Sequence, residues 1–158
     1  MNILIIHYGL DQKQLIIVDE IRKDLDCQVE ELKAGKSFAL WRIIKYFLKL
    51  PSKADTLKNE TLWYESIILC FTTGGKELPP EIRAFLKEYR YSLRNLACLI
   101  FTSRSQGVKD TLLESVIQLA GGRPLAWCEV IGDSSANTQE IRAFVRKIQN
   151  LGHYNQKR

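Results

Sequence analysis

Asn2-Ile3-Leu4-Ile5-Ile6-His7-Tyr8 places four aliphatic residues in a row with no polar position among them. A strand with one face in water alternates apolar and polar residues, so an unbroken run predicts a strand covered on both faces, as in a parallel sheet between helical layers. The same signature returns in Ser66 to Phe71 and in Leu96 to Thr102. Those three segments belong inside one sheet. Cys27 to Leu32 and Leu125 to Ile131 carry Glu30, Glu31 and Glu129. Charge on a strand discourages pairing with another chain, which predicts that these two form the edges.

Between the strands, apolar residues recur at helical spacing: Ile17, Ile21 and Leu25, then Ile82, Phe85, Leu86 and Tyr89, then Leu112, Leu113, Val116, Ile117 and Ala120. Each stripe predicts a helix lying on the sheet. Gly121-Gly122 suit a left-handed helix stop, and Pro124 bars continuation. A last helix, with Ile141, Phe144, Val145 and Ile148 on its core face, opens on Asn137-Thr138-Gln139-Glu140, the pattern of a capping box. Strands alternating with helices through short loops imply βαβ units. The predicted fold class is therefore α/β, a three-layer, doubly wound, five-stranded parallel sheet. Gly35 to Glu60 is longer than an ordinary connection. Within it, Phe38 to Leu50 predicts an amphipathic helix, with Arg42, Lys45 and Lys49 set among Trp41, Ile44, Phe47 and Leu48. Two roles stand open for it, packing on the domain or weak contact with an anionic surface.

A chain of 158 residues, 46% hydrophobic and 26% charged, suits one globular domain, residues 1–151, with a tail at 152–158 that has little to bury. No apolar run approaches the ~20 residues that cross a bilayer. Met1-Asn2 leads straight into the first strand with no basic segment ahead of it, so a cytoplasmic location is expected. Cys27, Cys70, Cys98 and Cys128 form no C-x-x-C pair and read as small buried hydrophobes. The formal charge of +5 favours anionic partners but is too modest to predict nucleic-acid binding. Neither a phosphate-binding P-loop nor a G-x-G-x-x-G fingerprint occurs. A phosphoacceptor receiver domain needs an aspartate ending strand three and a lysine ending strand five; the chain has Phe71-Thr72-Thr73 and Ile131-Gly132-Asp133 there.

From Asn2 to about Leu151 the layout resembles the flavodoxin family. The first strand, a short loop and Leu15-Ile16-Ile17-Val18-Asp19-Glu20-Ile21 match its first strand, phosphate loop and first helix, and Phe38 to Leu50 matches a helix that one subgroup carries before strand three. Most specific is Leu78-Pro79-Pro80-Glu81-Ile82-Arg83-Ala84-Phe85-Leu86, which is similar to the family's L-P-P-x-[VI]-R-x-F-L stretch. The resemblance implies strand order 2-1-3-4-5 and FMN at the switch point beyond strands one and three. It brings three loops together: Gly9 to Gln14, Thr72 to Leu78, and Ser103 to Gly107.

The cofactor-binding candidates that follow from the resemblance are Gly9, Leu10, Gln12, Lys13 and Gln14 in the first loop. Thr72, Thr73, Gly74, Gly75 and Lys76 follow in the second, and Ser103, Arg104, Ser105 and Gln106 in the third. The family's Ser/Thr-x-Thr-Gly-x-Thr loop gives a dianionic phosphate small hydroxyls and backbone N–H groups. Here Gly9-Leu10-Asp11-Gln12-Lys13-Gln14 has none of those hydroxyls, and Asp11 would repel a phosphate or cap the first helix. Gly74-Gly75-Lys76 replaces a Trp-Ala-Gly-type loop, so no ring remains to stack on a flavin; the glycines serve a positive-φ turn or a close ligand approach. Ser103, Ser105 and Gln106 suit either a flavin edge or a helix cap. Lys13, Lys76 and Arg104, one per loop, would make an electropositive mouth. His7 suits an acid–base role or a buried position with a backbone partner, and no catalytic triad or metal cluster is evident. Two functions follow: an FMN protein in electron transfer or small flavin-dependent reduction, or an FMN-free module binding a redox or regulatory protein partner or another anionic ligand.

Overall fold

The computed structural model describes residues 2–32, 64–90, 93, 95–103, 109–132 and 137–155. The predicted Phe38–Leu50 helix, and Arg104, Ser105 and Gln106 of the third loop, lie outside the described residues. The elements in chain order are β1 (Ile3–Tyr8), α1 (Gln12–Leu25), β2 (Gln28–Glu31), β3 (Ser66–Thr73), α2 (Pro80–Glu88), β4 (Leu96–Thr102), α3 (Lys109–Ala120), β5 (Ala126–Ile131) and α4 (Thr138–Asn155). They build one five-stranded sheet in the order β2-β1-β3-β4-β5, with every neighbouring pair parallel.

Burial explains that order. Ile5, Ile6, Ile68, Leu69, Leu99 and Ile100 have no exposed surface, which only interior strands covered on both faces achieve. Because successive side chains point to opposite faces, β1 sends Leu4 and Ile6 to one core and Ile3 and Ile5 to the other. The first core is closed by Ile82, Phe85 and Leu86 of α2 with Leu112 and Val116 of α3. The second is closed by Ile17, Val18 and Ile21 of α1 with Phe144, Val145 and Ile148 of α4. β2 and β5 are the edges, as their glutamates predict; burial holds the half-buried Glu129 carboxyl above the usual carboxylate range.

The ends of several elements differ from expectation. β3 runs on to Thr73, past the predicted end at Phe71, because two β-branched threonines continue the ladder opposite Phe101 and Thr102 of β4. The loop after β3 therefore starts at Gly74. α4 continues to Asn155, beyond Gly152 where the sequence places the tail. Asn137 ties the start of α4 to the end of β5: its Oδ1 accepts from the Ile131 N–H at 3.3 Å, and its amide donates to the Ile131 carbonyl at 3.1 Å. The left-handed stop of α3 is at Gly121, with φ +77, where an added Cβ would crowd Arg90 at 3.1 Å.

Among the described residues no helix is long and apolar enough to cross a membrane. All four cysteines are free thiols, three of them buried, and burial pushes Cys27 up to about 11 and Cys128 to about 12. Thiols so reluctant to ionise are packing groups rather than nucleophiles.

Candidate functional site

α1 packs on one face of the sheet and α2 on the other, while the strands they follow, β1 and β3, lie side by side. The chain thus leaves adjacent strands in opposite directions, and the carboxyl ends of β1 and β3 open into the crevice where ligands bind in open α/β sheets. Gly9 turns the chain off β1 with φ +65, a conformation that disfavours any other residue. Leu10 is half-buried against the core under α1, so its side chain supports the loop from below.

The start of α1 is closed by its own side chains. Asp11 is the N-cap: its Oδ1 accepts from the Gln14 N–H at 2.8 Å, and Gln14 Oε1 accepts from the Asp11 N–H at 3.0 Å. This reciprocal box satisfies two donors that a helix start otherwise leaves open. Gln14 Oε1 also accepts from the Thr72 hydroxyl at 2.8 Å, so the box is fastened to the end of β3 across 58 residues of sequence. Gln12 and Lys13, between the two box residues, are exposed. Of the alternatives the sequence leaves for Asp11, the structure shows the helix cap.

The loop after β3 has the opposite character. Thr73 is buried; its hydroxyl accepts from the Gly75 N–H at 3.3 Å and has the carbonyls of Gly75 and Glu77, each 3.0 Å from the oxygen, as acceptors for its single proton. The loop is pinned from beneath. Above the pin, neither Gly74 nor Gly75 has a positive φ, and a Cβ added to either would meet nothing within 4 Å. A turn that demands glycine is therefore not the reason for the pair. Their lack of side chains leaves bare backbone at the rim of the crevice, which suits close approach by a ligand.

Two further residues join the crevice without a signal in the sequence. Tyr8, at the end of β1, lies beside the Glu81 carboxylate at the start of α2, whose proximity holds the phenol above its ordinary pKa. Glu81 Oε2 is enclosed and has no hydrogen-bond partner among the described residues. Nothing in the spacing of Tyr8 and Glu81 could have paired them, because the contact exists only once β1 and β3 are neighbours. His7 lies deeper, in register with Glu31 of β2 and Cys70 of β3. Burial lowers its pKa, against an opposing pull from Glu31 and Glu30, so its imidazole is a neutral wall of the fold near pH 7.

Of the three predicted cations, Lys13 and Lys76 are exposed on the first and second loops, and Arg104 lies outside the described residues. Ser103 follows β4 directly and is exposed. Among the described residues no group of three His, Cys, Asp or Glu side chains could hold a metal ion.

No family model and no curated protein matches the sequence. Solved structures do match in shape. A provisionally assigned flavoprotein from Bacteroides eggerthii superposes with TM-score 0.55 at 12% identity, over 92% of this chain and 96% of its own. A flavoprotein from Lactobacillus acidophilus in complex with FMN gives TM-score 0.55 at 9% identity, over 89% and 98%. The apo form of the flavoprotein from the same organism gives 0.52 at 12% identity, over 87% and 95%. The chain has the flavodoxin-like fold. Identities this low carry the fold alone, and what the crevice binds has to be argued from its own residues.

Against FMN, the flavodoxin-like crevice is divided. At the glycine rim no neighbouring atom of the described residues stands within 4 Å of where a Cβ would lie. The phosphate end does not fit: the anion position at the start of α1 is taken by the Asp11 carboxylate, and Gln14 and Thr72 are bonded to each other. A dianionic phosphate would meet like charge where it needs donors.

Proposed function

We propose that this flavodoxin-like protein receives a flat, flavin-type ring in the crevice beyond β1 and β3, and that electron transfer or small flavin-dependent reduction is its role. The bare Gly74–Gly75 rim carries this reading: two adjacent glycines that neither backbone strain nor crowding requires stand at the switch point of the sheet. The fold it shares with a flavoprotein in complex with FMN supports the choice of ring. Any redox chemistry would be the ring's own, with the protein supplying position and surroundings.

A second reading has its own observation. The closed box at α1 favours a ligand-free module that works through a redox or regulatory protein partner. The visible spectrum of the purified protein, followed by titration with a flavin while its fluorescence is monitored, separates the two. Bound-flavin absorbance or saturable quenching is the result expected of the first; a colourless protein that leaves flavin fluorescence unchanged selects the second.

A further inference from the structure

A helix start at the switch point of an α/β sheet is a ready site for a ligand's anionic group, since its first N–H groups lack partners and its dipole favours negative charge. Here the Gln14 and Asp11 N–H groups are partnered from within the chain. Asp11 supplies the anion, Gln14 returns the bond to the Asp11 N–H, and Thr72 locks Gln14 from the neighbouring strand. We infer that Asp11 is a built-in replacement for a ligand phosphate, and that Asp11, Gln14 and Thr72 together set the specificity of the crevice against phosphorylated ligands. This rests on the crevice receiving a ring ligand, and it names the class of ring ligand: one whose chain ends in uncharged hydroxyls rather than phosphate.

The balance of charge supports the direction. Lys13, two residues along, and Asp11 are both exposed, but the Asp11 carboxylate is held at the helix start, 2.8 Å from the Gln14 nitrogen, whereas no contact among the described residues holds the flexible Lys13 chain there. A phosphate that took the Gln14 N–H would have to displace Asp11 from it and then tolerate the freed carboxylate, beside a Gln14 side chain already held by Thr72. An uncharged ribityl chain makes none of these demands.

Riboflavin and FMN share one ring and differ only by the phosphate, so the pair reads the lock directly. Both are titrated by fluorescence quenching into the wild-type protein and into Asp11→Thr and the double variant Asp11→Thr with Gln14→Thr, threonine being itself a good N-cap. Inorganic phosphate is tested in parallel by its effect on Tm, which needs no ring to bind. Wild type is expected to bind riboflavin at least as tightly as FMN and to show no Tm response to phosphate. The double variant is expected to shift the ratio at least tenfold toward FMN and to gain a saturable Tm rise with phosphate. Wild type preferring FMN tenfold or more overturns the inference, as do variants that fold by circular dichroism yet match wild type with all probes. If no flavin binds any form, the reading of the crevice as a ring site fails, and the phosphate response of the double variant alone decides the lock.

Discussion

The two loops that border the crevice solve the same local problem in opposite ways. After β1, the chain fills the helix start with its own side chains, Asp11 and Gln14, and bolts it to Thr72. After β3, it strips side chains away at Gly74 and Gly75 and anchors the bare loop from below through Thr73. Both use a threonine at the end of the same strand, one facing each side of the sheet. The contrast teaches that departure from a familiar binding pattern is not uniform loss: one loop has become self-sufficient, while the other keeps room that the fold itself does not need.

The anchor under the open loop should carry the largest energetic effect. Thr73→Val keeps the shape but removes the hydroxyl from the Gly75 and Glu77 backbone in a buried place, and is expected to cost about 1–3 kcal/mol in urea or thermal unfolding. A loss below a few tenths would mean that the loop is held some other way, and the contrast would weaken. Next comes the closed loop: Asp11→Ala removes the cap from α1 and is expected to cost about 1 kcal/mol, with Asp11→Asn retaining most of that stability. Equal losses for Ala and Asn would show that the cap geometry is not what matters.

Gly74→Ala should be near neutral or stabilising by about 0.5 kcal/mol, because alanine narrows the unfolded ensemble and meets neither strain nor crowding in the fold. The same variant should weaken ring-ligand binding severalfold; stability loss without a binding change would make the glycine structural after all. Gly9→Ala is the control on the other loop, where φ +65 makes a clear destabilisation of about 1 kcal/mol expected.

The smallest effect lies beneath the closed loop. His7 has a pKa below its ordinary 6.5 in the folded protein, because burial penalises its charged form. The unfolded chain then takes up the proton first as pH falls below about 6.5, so stability declines from there toward the folded pKa. His7→Gln should flatten that part of the pH–stability curve and leave the curve above pH 7 unchanged. A wild-type curve that rises on acidification in this window would contradict the burial of His7.

The interior strands were legible because their evidence is local. Each unbroken aliphatic run needs two covered faces wherever it sits, and the glutamates on β2 and β5 mark edges for the same reason. The cap at Asp11 and the stop at Gly121 were legible too, since both depend on residues within one helical turn. The end of β3 was not. Thr72 and Thr73 read equally well as strand or loop until Phe101 and Thr102 stand beside them.

By itself, then, the sequence determined the layers, the five strands, their two edges, the start of α1 and the stop of α3, all consequences of periodicity and short-range capping. Only the tertiary structure decided how the crevice is built. It joined Gln14 to Thr72 and Tyr8 to Glu81, and it showed that Gly74 and Gly75 are free of strain. Those facts depend on which strands become neighbours and on the space left between their ends, and no local preference along a chain encodes either one.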